Sequence, residues 1–142
     1  MHHLSGKEKK ELKNALPLGY EVDKKDKITR QGDLLYKDDE PYLIILEGKY
    51  LPHLKSLSKD ALKRVEIDHG AVPFLLKGAD MMRPGITFID SGFDVDDVLV
   101  ICDEVKKIPL GLGFALMNSE DMQKQENGKS IKVFHYFKDS YY

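Results

Sequence analysis

The sequence of 142 residues is poor in the side chains that build disulfides and metal centres. Cys102 is its single cysteine, which excludes an intramolecular disulfide and a zinc site made of cysteines. Five histidines are present, but none has the H-x-x-x-H or H-E-x-x-H spacing that places two ligands on one helix face. The sequence therefore predicts a chain with no metal site and no cofactor.

Long apolar runs are also missing. None approaches the roughly 20 residues that cross a bilayer, and residues 1–13 are charged and lack the apolar core of a secretory signal. We therefore expect a cytoplasmic protein with no membrane partner.

Catalytic motifs are equally scarce. Gly111-Leu112-Gly113 begins like a dinucleotide-binding loop, but Leu116 occupies the third glycine position. The acidic stretch from Asp90 to Asp97 lacks the glutamate that a calcium loop needs at position 12, where Ile101 stands. The sequence contains neither a nucleophile elbow nor a phosphate-binding loop. We predict no catalytic residue and no enzyme activity.

Charge is divided unevenly between the two halves of the chain. The formal net charge is −2, which does not indicate a general polyanion binder. Residues 1–65 carry 14 Lys and Arg against 11 Asp and Glu, a net +3, whereas residues 66–142 carry 8 against 13, a net −5. Any nucleic-acid contact in the second half must therefore be local.

The first half reads as a small α+β unit. Ser5 and Glu8 have capping-box spacing in front of an amphipathic helix over Lys7–Leu16. Alternating and β-branched runs predict strands, and leucine spacing predicts a second helix. The predicted strands are 28–31, 34–36, 42–47 and 49–51, and the second helix is Leu54–Lys63, with a capped turn over Ser58–Lys63 as the alternative.

The second half reads as a small, curved sheet. Gly111 and Gly113 interrupt a strand, as glycines do at bulges and barrel corners. We predict strands at 65–68, 86–90, 98–102, 108–117 and 131–137, with a helix from Asn118 or Ser119 to Lys124. Short strands with glycine corners favour a sheet that closes on itself.

The stretch from His69 to Ile86 organises this half. It reads H-G-A-V-P-F-L-L-K-G-A-D-M-M-R-P-G-I, with a short helix over Val72–Leu76. Gly78 is placed to take the left-handed conformation that ends this helix. Pro84-Gly85 predicts a type II turn.

This stretch resembles the core motif of the PUA domain, an RNA-binding module. The later segments Gly111–Ala115 and Phe134–Tyr136 resemble later strands of the same family. The layout resembles the stand-alone archaeal PUA proteins and the malignant T-cell amplified sequence family, which acts in translation. The resemblance implies an α+β fold in which a small N-terminal α+β domain, residues 1–64, packs on a C-terminal PUA-like β pseudo-barrel, residues 65–142.

The resemblance also implies an RNA-facing surface where the helix and turn lie beside the last strand. The matching motif positions are Gly70, Ala71, Gly78, Ala79, Met82, Arg83, Pro84, Gly85 and Ile86. We expect Lys77 and Arg83 to contribute charge, and His135, Tyr136 and Lys138 to contribute stacking and phosphate contacts. Each glycine has an alternative role in building turns, and each aromatic side chain has one in filling the core.

The function implied is non-catalytic binding of a structured RNA of the translation machinery, either tRNA or small-subunit ribosomal RNA. A different class remains open, namely a protein–protein adaptor in a translation complex with a translation-factor-like partner. An exposed apolar patch over residues 42–51 or on the first helix would favour the adaptor. A third interpretation, the targeting part of an RNA-modifying enzyme, is weaker because the chain has no room for a catalytic domain.

Overall fold

The structure is a computed structural model that describes residues 1–58 and 60–142. The chain divides into two compact units. The first comprises residues 1–61 with Tyr141, and the second comprises residues 62–140 with Tyr142.

The first unit is a five-stranded antiparallel sheet with one helix. Helix α1, Gly6–Lys13, begins at a complete capping box in which Ser5 and Glu8 bond each other's backbone, as predicted, but it ends before the predicted Leu16. Its buried Leu12 packs in a core with residues such as Val22, Ile28 and Leu43. The strands follow one another in the order β1 to β5: His2–His3, Ile28–Gln31, Leu34–Lys37, Glu40–Leu46 and Lys49–Pro52.

The second helix predicted for the first half, Leu54–Lys63, is wrong for the residues described; its Lys59 lies outside them. Residues Leu54–Ser56 form only one 3-10 turn. The Ser56 hydroxyl donates to the carbonyl oxygens of Tyr42, at 2.6 Å, and His53, at 3.0 Å. Because these local bonds compete with helix formation, the leucine spacing does not become a helix.

The second unit is a six-stranded, nearly closed pseudo-barrel, as the glycine pattern predicted. The strands are β6 to β11: Lys63–Ile67, Met81–Met82, Ile86–Ile89, Val98–Asp103, Pro109–Ala115 and Lys129–Tyr136. Their order in the sheet is β7-β11-β10-β9-β6-β8, and β6 pairs in parallel with β9. Helix α2, Val72–Leu75, and helix α3, Ser119–Lys124, complete the unit.

Two glycines allow this sheet to curve around its core. A Cβ atom at Gly113 would lie 2.4 Å from Cγ2 of Ile131, and one at Gly111 would lie 2.8 Å from Cδ1 of Leu75. The pairing register shifts beside both glycines. Gly111 therefore makes room for the buried Leu75, which anchors α2 against the barrel core.

Candidate functional site

A groove of about 680 Å³ opens on the second unit between two short segments. One segment is the 3-10 turn His69–Ala71 with α2, and the other is β7 with the 3-10 turn Arg83–Gly85. The lining residues are Asp68, Gly70, Ala71, Phe74, Ala79, Asp80, Met81, Met82, Pro84, Gly85 and Lys129. We call this feature the groove.

The walls of the groove are mainly apolar and open to solvent. Phe74 is 62% exposed and Met82 is 47% exposed, although both are large hydrophobic side chains. An accessible aromatic ring offers a face on which a nucleobase can stack. These walls therefore suit a flat, partly apolar ligand group.

Local contacts within the motif shape the two sides. The Asp68 carboxylate accepts a hydrogen bond from the Ala71 backbone N–H at 2.9 Å and so begins the 3-10 turn. The Asp68 N–H donates to the Gly85 carbonyl at 3.0 Å, and a Cβ at Gly85 would lie 3.2 Å from Cβ of Ala71. The glycine at 85 thus allows the two segments to approach closely.

Gly85 does not form the type II turn that was predicted. Its φ is not positive, and Arg83–Gly85 is instead one 3-10 turn. Gly78 behaves as predicted, with a φ of +85° at the end of α2. A Cβ there would lie 3.1 Å from Cε1 of Tyr136. Gly78 therefore places the loop after α2 directly against the last strand.

Asp80 lines the groove and contacts both the last strand and the Lys129 side chain. Its Oδ1 accepts a hydrogen bond from the Val133 backbone N–H at 3.1 Å. Its Oδ2 lies 3.3 Å from Nζ of Lys129, whose side chain is 62% exposed. Lys129 therefore presents positive charge at the groove, and Asp80 partly neutralises that charge.

The groove brings together six of the nine motif positions singled out from the sequence. The groove-lining members of that set are Gly70, Ala71, Ala79, Met82, Pro84 and Gly85. Lys77 is exposed in the adjoining loop and directly precedes Gly78. Lys138 lies in the turn after β11 and is not among the groove-lining residues; its Nζ lies 5.3 Å from the centre of the Phe137 ring.

Two of the expected contact residues have structural contacts instead. Arg83 is half-buried; its Nε donates to the Met122 carbonyl at 2.7 Å, and its Nη1 donates to the Ile86 carbonyl at 2.9 Å. His135 is fully buried and lies 2.8 Å from the Asp139 carboxylate. Burial lowers the pKa of His135, and the Asp139 contact acts in the opposite direction. The expected stacking by His135 does not fit a ring without exposed surface.

Five groove residues were not selected from the sequence as ligand contacts, namely Asp68, Phe74, Asp80, Met81 and Lys129. Phe74 belongs to a short apolar run whose pattern indicates core, and only the fold shows that its ring faces solvent. Lys129 lies before the predicted start of the last strand, and Asp68 serves as a cap. The sequence did contain one signal for the exposure of Phe74. The apolar helix that contains it is too short to bury every side chain.

Within residues 1–58 and 60–142, no three His, Cys, Asp or Glu side chains are arranged to hold a metal ion. No helix among these residues is long and apolar enough to span a membrane.

The profile of the PUA domain family matches residues 63–137, which is just over half of the chain. The chain therefore belongs to the PUA domain family, as its motifs indicated. Translation machinery-associated protein 20 of Saccharomyces cerevisiae is 29% identical, and the alignment covers 77% of this chain and 70% of the yeast protein. Malignant T-cell-amplified sequence 1 of Rattus norvegicus is 32% identical, with 79% of this chain and 61% of the rat protein covered.

Two solved structures extend these similarities to the fold. A hypothetical protein of the archaeon Pyrococcus horikoshii is 31% identical, with a TM-score of 0.79 over 98% of this chain and 95% of that one. A chain in an H/ACA ribonucleoprotein bound to a substrate RNA is 28% identical, with a TM-score of 0.55. That match covers 69% of this chain and 31% of the other. The similarity to the archaeal protein thus includes both units.

Proposed function

We propose that this protein is a non-catalytic RNA-binding protein of the translation machinery, which recognises tRNA or small-subunit ribosomal RNA through the groove. The observation that carries the proposal is the groove itself, since six of the nine motif positions line it together with an exposed aromatic ring and a lysine. Family membership favours RNA as the ligand. The name of the yeast relative favours translation as the process.

The groove binds RNA by shape and stacking, with a small electrostatic contribution. Phe74 and Met82 contact an unpaired base, and Lys129 and Lys77 contact phosphate oxygens beside it. Because the second unit is net acidic, this contact is confined to one place. Arg83 and His135 act indirectly, by holding the walls and the last strand in position.

The first test is a titration of the purified protein with total tRNA and with small ribosomal subunits, at about 50 mM and about 200 mM salt. Salt-sensitive binding to either one supports the proposal and identifies the class of RNA. If the folded protein binds neither, the proposal is wrong and a protein adaptor becomes the leading function.

Phe74→Ala tests the groove, because removing an exposed ring alters stacking with little effect on the core. Loss of base stacking weakens binding by about 1–3 kcal/mol. Phe88→Ala is the matched control, since Phe88 is also an exposed phenylalanine of the second unit and does not line the groove. Equal affinities of the two variants would move the binding site elsewhere.

The adaptor function lacks the surface that would favour it. Residues 42–51 contain no large, exposed hydrophobic side chain; Leu43 and Ile44 are fully buried. In the first unit, the strongly exposed apolar residues are Met1 and Leu18, which lie outside that segment and outside α1. RNA binding therefore has the more direct structural support.

A further inference from the structure

Five lysines of the first unit come together on one surface, which we call the lysine patch. Three of them, Lys9, Lys10 and Lys13, belong to α1, and two, Lys24 and Lys25, belong to the loop before β2. The Nζ of Lys9 donates to the Lys24 backbone carbonyl at 2.9 Å. This bond holds the loop beside the helix, so two positive segments that are distant in sequence form one surface.

Charges are segregated around α1. At about 100° per residue, the three lysines of the patch lie within about 100° of arc. Glu8 and Glu11 lie on another side, where they line a small pocket with His2 and Arg30. Glu8 also hydrogen-bonds His2 at 3.0 Å. Glu8 therefore pairs with His2, and both helix carboxylates lie away from the lysine side.

One carboxylate of the loop, that of Asp26, has partners outside the patch. Asp26 accepts a hydrogen bond from the Asp23 N–H at 2.7 Å and lies 3.5 Å from Nζ of Lys37. Lys27, which follows the patch, pairs with Asp39. Glu21 and Asp23 are the remaining acidic side chains of the loop, and both are exposed. Within the described residues, no lysine of the patch forms an ion pair.

This arrangement works against the local stability of the helix. Lys9 and Lys13 are four residues apart and Lys10 and Lys13 are three apart, spacings at which like charges repel. The last-turn lysines interact favourably with the helix dipole, which accounts for Lys10 and Lys13. It does not account for Lys24 and Lys25, which belong to a loop. A bound polyanion would relieve the repulsion of all five.

We propose that the lysine patch is a second RNA contact, which binds the phosphate backbone without reading bases. This inference rests on the proposed function, because it assumes that the same RNA occupies the groove. Uncompensated lysines are the side chains that bind phosphates by counterion release. The net charge is +3 for residues 1–65 and −5 for residues 66–142. This difference agrees with phosphate binding by the lysine patch and base contact by the groove.

The test compares two triple variants with the same change in net charge. The patch variant replaces Lys10, Lys24 and Lys25 with glutamine, and leaves Lys9 to hold the loop. The control variant replaces Lys49, Lys106 and Lys124, which are exposed lysines outside the patch. Binding of end-labelled total tRNA is measured by fluorescence anisotropy over a range of salt concentrations, and circular dichroism compares the melting temperatures.

We expect the patch variant to bind at least about tenfold more weakly near 0.1 M salt, with a normal melting temperature. Each lost phosphate contact removes about 0.7–0.9 from the slope of log K against log salt, so the slope should fall by about 2. The control variant should keep the slope of the natural sequence. Equal slopes for both triple variants would overturn the proposal, whether both fall or neither does.

Phe74→Ala, measured in parallel, separates this inference from the proposed function. If Phe74→Ala weakens binding and the patch variant does not, the groove binds RNA and the lysine patch does not. In that case, an acidic protein surface becomes the occupant to test. If the natural sequence does not bind tRNA or ribosomal subunits, both proposals fail.

Discussion

Arg83 joins the groove to α3, because its Nε donates a hydrogen bond to the Met122 carbonyl at 2.7 Å. The same guanidinium donates through Nη1 to the Ile86 carbonyl, at 2.9 Å. The position belongs to the motif, yet these contacts make it a brace for the 3-10 turn on one side of the groove. The guanidinium of Arg83, which we expected to contact a ligand, instead donates hydrogen bonds to two backbone carbonyls.

Arg83→Ala should therefore lower stability. Hydrogen bonds from charged donors contribute about 1.5–3 kcal/mol, and the free energy of unfolding should fall by about that amount in urea denaturation. Lys77→Ala removes an exposed charge and should change it by less than about 0.5 kcal/mol. Two variants of equal stability would show that the Arg83 bonds contribute nothing to the fold.

Asp80→Asn should strengthen RNA binding several-fold. Asparagine keeps an oxygen that accepts the Val133 N–H bond, but it removes the charge that neutralises Lys129 and repels phosphates. Asp94→Asn is the control, because it makes the same change in net charge in the exposed loop after β8, outside the groove. Anisotropy titrations of both variants measure the difference. Weaker binding by Asp80→Asn would indicate that this carboxylate accepts a hydrogen bond from the RNA.

Gly113→Ala should be strongly destabilising. The new Cβ would lie 2.4 Å from Cγ2 of Ile131 and 2.8 Å from the Lys132 carbonyl oxygen, which cannot move without disturbing the sheet. Overpacking of this kind costs about 1–3 kcal/mol or more, measurable as a lower urea midpoint. Gly6→Ala is the control, because nothing lies within 4 Å of a Cβ there. A midpoint unchanged in Gly113→Ala would mean that the barrel yields at this corner.

Stability should decrease as the pH falls below the ordinary pKa of histidine, about 6.5. Burial lowers the pKa of His135 in the folded state, so the unfolded chain binds the proton more readily in this range. The free energy of unfolding continues to fall until the pH reaches the lowered pKa of His135 in the folded state. His135→Gln should show a smaller decrease in unfolding free energy between about pH 7 and pH 5. An identical pH dependence in both proteins would assign the effect to other groups.

The sequence by itself determined the class of fold, the first helix and its cap, and most strands. It did so because capping, alternation and glycine placement are local properties of the chain. Gly78 is an example, since the left-handed conformation it adopts depends on its own missing Cβ. The motif also located the groove, because the residues that build its two sides are close together in sequence.

Only the tertiary structure decided which side chains of the motif and the last strand are exposed. Phe74 and Leu75 are neighbours in one apolar run, yet Leu75 is buried beside Gly111 and Phe74 is 62% exposed. Arg83 and His135 have side chains that could contact RNA. Arg83 instead bonds the Met122 carbonyl, which is distant in sequence. His135 is buried against the nearby Asp139 carboxylate. The lysine patch exists because one Lys9 bond brings a loop to a helix. Exposure and pairing depend on such long-range contacts, which composition and spacing do not encode.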